Sequence, residues 1–203
     1  MNVQPQKTPS ILPVVVIFII IFSLLTAAVG AIYYFFLLPK ITNNTSSIEV
    51  SNLFREASKN FAEGKYSLQL ESANKALNKS TTDKERAIAY YWKGLAEYKL
   101  ASSDKTQAQQ DLTEATRLDS TYAAPYVTLS AIEMDSGNFQ GGLTLAQKCA
   151  TLDPKYAWCE NNIGLALFYL GQKQEGIKHL EKAVQISPDT LVFRDNLNRA
   201  RQN

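Results

Sequence analysis

The chain is expected to be all-α: a stack of helix pairs carried behind one membrane-crossing helix. Three observations predict this. Glycine, proline and apolar positions recur with a displacement of 34 residues, a period that belongs to stacked supersecondary units. Glycine and proline fall where helices must end. An uncharged apolar run of 25 residues, from Val14 to Leu38, is long enough to cross a bilayer.

The run from Ile11 to Leu38 reads ILPVVVIFIIIFSLLTAAVGAIYYFFLL. As a helix its 25 residues after Pro13 reach roughly 37 Å, enough for a hydrocarbon core of about 30 Å with some tilt. A cleaved signal peptide has a shorter apolar region ending at small residues, and Ala27, Ala28, Gly30 and Ala31 imitate such a site. The apolar stretch from Ile32 to Leu38 beyond them favours a retained anchor. Tyr33 and Tyr34, then Pro39 and Lys40, fit an interfacial aromatic belt and a charged stop. Residues 1–10 form a short tail, 11–38 the transmembrane helix, 39–50 a polar linker and 51–203 the helical domain.

Orientation is weakly determined. Lys7 is the single basic residue before the span, against Lys40, Arg55 and Lys59 soon after it, which favours a cytoplasmic domain. A ten-residue tail with one lysine and no acid is the form of an uncleaved signal anchor, which exports the domain behind it; this is the side expected. The Asn, Thr and Ser side chains of the linker ITNNTSSIEV hydrogen-bond locally and resist regular structure. Asn43, Asn44 and Asn78 head N-x-[ST] patterns, read as unmodified polar positions.

Beyond residue 39 lie 20 of the 21 basic residues and all 19 acidic ones, so the domain is close to neutral. Nucleic-acid binding, which needs a one-sided cationic excess, is not expected. Cys149, Cys159 and the lone His179 do not form a zinc-ligand pattern, and no cofactor is expected. Separately packed cysteines are expected, although their place in consecutive helices allows a bridge in an oxidising space.

The repeats carry more information. Gly137 recurs as Gly171, Gly142 as Gly176, Leu152 as Ile186 and Pro154 as Pro188. In Ala157–Thr190, Ile163 and Gly164 place a small residue where a neighbouring helix must approach. Gly171 ends the first helix, Gly176, Leu180 and Ala183 alternate small and large on the second, and Pro188 stops it. Ala123–Tyr156 has the same plan. Ala87–Ser120 needs about two extra residues at ASSDKT and ends without proline, and Leu53–Leu77 carries Gln69 where a small residue is usual.

These units resemble the tetratricopeptide repeat (TPR) family over about 150 residues. The resemblance implies a helix-turn-helix superhelix of about four repeats, near 51–84, 87–120, 123–156 and 157–190. A capping helix comes last, at 191–203, with Leu191, Phe193 and Leu197 inward. It also implies a concave wall lined by the first helix of each pair. Phe54, Phe61, Tyr91, Leu95, Tyr98, Val127, Met134, Trp158, Asn161, Leu165 and Tyr169 are expected on that wall, with Ser58 and Ala131. Such a wall suits an apolar peptide or helix of a protein partner, and Asn161 or Asn162 could hydrogen-bond its backbone. The lysines, arginines and asparagines of a carboxylate clamp are missing from Phe54, Ser58, Val127 and Ala131.

The expected function is therefore a membrane-anchored scaffold or adaptor, bound to the lipid bilayer through residues 11–38. A chaperone-like helper for exported segments and a self-associating homo-oligomer of a membrane complex are the alternatives. Catalysis is not expected: no nucleophile-elbow, metalloprotease or phosphate-loop motif occurs, and His179, Asp111 and Glu114 are read as solvated helix-surface groups.

Overall fold

The computed structural model describes the backbone of residues 38–202 and the side chains of residues 46–202. It divides the chain into two compact units, Met1–Thr45 and Ser46–Asn203. Apart from the backbone of Leu38, the predicted span lies outside the described residues, as does the tail. Among the described residues no helix is long and apolar enough to cross a membrane.

Nine helices and no strands occur among the described residues: α1 (Leu38–Ala62), α2 (Tyr66–Lys79), α3 (Asp83–Leu100), α4 (Thr106–Leu118), α5 (Ala124–Asp135), α6 (Phe139–Leu152), α7 (Ala157–Tyr169), α8 (Lys173–Ile186) and α9 (Leu191–Gln202). From Ser46 onward they pair as α1/α2, α3/α4, α5/α6 and α7/α8, with α9 against α8 and α7.

The polar stretch 39–50, expected to be an irregular linker, is helical. Ser46 and Ser47 each cost only a fraction of a kcal/mol in a helix, well within what tertiary contact supplies. From Ser46 that contact is visible: Val50 is buried, the Ser46 hydroxyl donates to the Lys79 carbonyl at 3.2 Å, and Glu49 meets Lys79 Nζ at 2.7 Å.

Local signals set the ends. Thr82 caps α3 by accepting from the Glu85 N–H at 3.1 Å, while the Glu85 carboxylate accepts from the Thr82 N–H at 3.2 Å. Pro125 occupies the first turn of α5, where its missing N–H costs nothing. After α4, where proline is absent, the Asp119 carboxylate accepts from the Thr121 N–H at 3.0 Å and turns the chain. Gly171 takes φ +83° after α7, the left-handed conformation expected of it. Gln69, in place of a small residue, is fully buried and donates from Nε2 to the Trp92 carbonyl at 2.9 Å.

Small residues fix the helix spacing. A Cβ built on Gly164 would lie 2.7 Å from Leu180 Cγ and 2.8 Å from the Gly176 carbonyl oxygen, so α7 and α8 touch backbone to backbone. Gly164→Ala is expected to cost about 3 kcal/mol by overpacking. A denaturant midpoint unchanged from the wild type would show that the pair spreads freely.

Cys149 of α6 and Cys159 of α7 are joined in a disulfide, contrary to the expectation of separate packing. Placement in consecutive helices left the rotation of each helix open. The four-residue connection 153–156 and the packing of α6 on α7 bring the two Cα atoms to 5.6 Å and bury both sulfurs. Replacing both with alanine is expected to lower stability by about 2.5 kcal/mol through the freed loop in the unfolded chain. Reductant should shift the midpoint of the wild type and leave that of the variant in place.

In α9, Phe193, Leu197 and Ala200 face inward, but Leu191 is 67% exposed. At about 100° per residue, Leu191 sits some 200° from Phe193 and so points away from α8.

Candidate partner-binding groove

Side chains three and four apart share a helix face. On α3 this aligns Tyr91, Leu95 and Tyr98, and on α5 Val127 and Ala131. With Phe61 of α1 and Trp158 and Asn162 of α7, these line a cavity of about 180 Å³, completed by Lys99, Thr128 and Tyr156. All four first helices of the pairs contribute.

Tyr91 and Leu95 are buried at its floor. Tyr91 meets Tyr122 edge-on at 5.3 Å. Burial pushes the Tyr91 phenol well above its ordinary value and raises that of Tyr156, so both stay neutral and able to donate. Trp158 forms a wall, held edge-on against Phe193 at 4.7 Å. At the opposite rim the Tyr98 hydroxyl donates to Asp135 Oδ2 at 3.0 Å, and Lys105 pairs with the same carboxylate. Burial first, then the Asp135 charge, pushes the Tyr98 phenol upward. Lys105 and Lys99 place their ammonium groups 4.8 and 5.3 Å from the Tyr98 ring centre.

The structure thus gathers Phe61, Tyr91, Leu95, Tyr98, Val127, Ala131 and Trp158 around one cavity. The other expected wall residues lie elsewhere. Phe54 is half-buried on α1 and Ser58 is exposed there; neither lines the cavity. Met134 packs with Leu143, Ile163 and Leu167, and Leu165 packs toward Leu180 and Leu197. Tyr169, 60% exposed, stacks on Phe139 at 4.9 Å.

Asn161 is not available to a partner backbone. It is buried, accepts from Asn196 Nδ2 at 2.8 Å and donates to Asn162 Oδ1 at 3.2 Å, tying α9 to α7. Asn162 lines the cavity but donates to the Val127 carbonyl at 3.0 Å, so it braces α7 on α5. Tyr156, Lys99 and Thr128 are lining residues that the residue pattern did not point to. Tyr156 stands in the connection before α7, outside any helical face pattern, so helix spacing carried no signal for it.

Two charged clusters lie outside the groove lining. Lys93 of α3 donates to Asp111 Oδ2 at 2.7 Å and lies 3.6 Å from Glu97 Oε1. Asp111, expected to be solvated, is 5% exposed because α4 turns it onto α3. Burial, then the Asp111 carboxyl, pushes Glu97 up to about 7. Glu114, by contrast, forms a two-pronged ion pair with Arg117 at 2.6 and 2.7 Å. His179 is half-buried rather than free on the surface, with Nδ1 2.7 Å from Glu160 Oε2; Lys182 donates to Glu160 Oε1 at 2.6 Å. Burial raises Glu160, but those two hydrogen bonds outweigh it and hold its carboxyl below the usual range.

Residues 161–190 match the tetratricopeptide repeat family model. No curated protein matches the chain. Among solved structures, MamA is 25% identical over 70% of this chain and 80% of its own, with a TM-score of 0.53. Pseudomonas aeruginosa PilF is 12% identical over 77% of this chain and 69% of its own, with a TM-score of 0.64. YrrB, a TPR protein described as having an unusual peptide-binding site, is 18% identical over 76% and 75%, with a TM-score of 0.54. Residues 161–190 are thus a tetratricopeptide repeat, and the paired helices from Ser46 onward share the fold of the solved repeat proteins.

Proposed function

We propose that the chain is a membrane-tethered scaffold that holds a protein partner by an apolar segment laid in the concave groove. The observation that carries this is the cavity shared by α1, α3, α5 and α7: an aromatic and aliphatic surface that the first helices of successive repeats leave open. Recessed apolar surface with a few oriented hydroxyls is suited to binding. YrrB, and the first TPR of Spaghetti, which is described as bound to an HSP90 peptide (18% identical, TM-score 0.54), give the reading precedent in the same fold. The protein acts by binding and not by catalysis.

The tether is the uncharged run 11–38, and the repeats lie on the oxidising side of the membrane. The Cys149–Cys159 bridge supports that side, because such bonds persist where thiols are not kept reduced. Protease treatment of sealed vesicles whose outer face is the oxidising side tests it: a domain cut only after the vesicles are opened would lie on the other side.

A photo-crosslinker at Ala131, in the groove wall, is expected to capture a discrete partner in the native membrane. One at Lys148, exposed on α6, is expected to capture none. Self-crosslinks alone would turn the reading to a homo-oligomer, and a scatter of unrelated clients to a chaperone-like helper.

A further inference from the structure

We infer that the groove selects a segment carrying one aromatic ring beside an acidic residue. This rests on the groove being the binding surface and names the chemistry of its occupant. Size sets the first half. The cavity measures about 180 Å³, and an apolar cavity of about 150 Å³ holds one benzene. The recess therefore has the size of one ring. The surroundings are aromatic on several sides, with Tyr91 at the floor and Tyr98, Tyr156 and Trp158 around it. Rings favour ring neighbours in edge-on and offset contacts, which a branched aliphatic side chain does not reproduce.

Charge sets the second half. Lys99 is the one charged side chain on the lining. The nearby Lys105 and Asp135 are paired with each other. Lys99 is exposed at the rim, and among the described residues it has no carboxylate partner. A partner carboxylate next to the inserted ring meets it, whereas a partner lysine there is repelled. One cation serves one acid, so this is not a site for a run of acidic residues. Spaghetti's peptide, SRMEEVD, has three acidic residues, two of them adjacent, and no aromatic ring, and belongs to a different chemistry.

The test is a displayed library of random peptides selected on the full-length chain in detergent micelles, with Lys99→Glu and the groove-filling Ala131→Trp selected in parallel. Circular dichroism checks that both variants are folded. The wild type should enrich Phe, Tyr or Trp with Asp or Glu within two positions. In a synthetic copy of the best peptide, ring to alanine should weaken binding about 10- to 100-fold, and acid to amide about 2- to 5-fold. Lys99→Glu should enrich Lys or Arg in place of the acid. An aliphatic motif, or a charge preference that Lys99→Glu leaves unmoved, overturns the inference and leaves the groove reading standing. No enrichment on the wild type over Ala131→Trp overturns both.

Discussion

Phe193→Ala should cost about 4 kcal/mol of stability and also weaken partner binding, although Phe193 does not line the groove. The ring is 1% exposed, seated on Ala157 and Ala183, and it supports Trp158 edge-on at 4.7 Å. Truncation removes a large buried apolar surface between α9 and the last repeat, and the short alanines around it cannot grow to fill the space. α9 should then loosen from α8, exposing Leu180 and Ala183, the surface that a capping helix keeps from sticking to other molecules. Denaturant unfolding measures the first effect, light scattering the self-association, and titration with a groove ligand the loss of Trp158 support. A cost below about 1 kcal/mol would mean that α9 contributes little to the stack.

Lys93→Met should cost about 3 kcal/mol near pH 7.5, and much less near pH 5. Lys93 is the cation between Asp111 and Glu97, both largely withdrawn from water. Methionine keeps the apolar stem but leaves two carboxylates facing each other, and removing one partner of a buried pair is far more damaging than never having built it. The pH dependence comes from Glu97. Its folded pKa, about 7, lies above the ordinary 4.5, so its contribution is fully present below about 4.5 and is lost as pH rises through 7. Without Lys93, which draws Glu97 downward, the carboxyl is pushed higher still and acid restores more of the stability. Midpoints that fall equally at the two pH values would show that the cost is packing and not charge. Glu97→Gln in the same background should flatten the dependence.

The repeat plan was legible because its signals are local. Gly164, Gly171 and Gly176 and the prolines act on their own turn or on one contact, and their 34-residue recurrence exposes the unit. Phe61, Tyr91, Leu95, Tyr98, Val127 and Trp158 were legible as a surface because a first-helix face is set by spacing. What failed were choices between two satisfied states of one side chain. Asn161 could face a partner or Asn196; Asp111 could face water or Lys93; His179 could face water or Glu160. Residue type and helix phase permit both members of each choice.

By itself the sequence determined an all-helical repeat domain behind an uncharged stretch, since helix period, small residues at crossings and chain punctuation are written residue by residue. Only the tertiary structure decided that the polar stretch 39–50 is helical, that Cys149 meets Cys159, and that Tyr156 and Lys99 join the groove. Those outcomes depend on how one helix is rotated and seated against another, and that rotation is set by the summed packing of the stack.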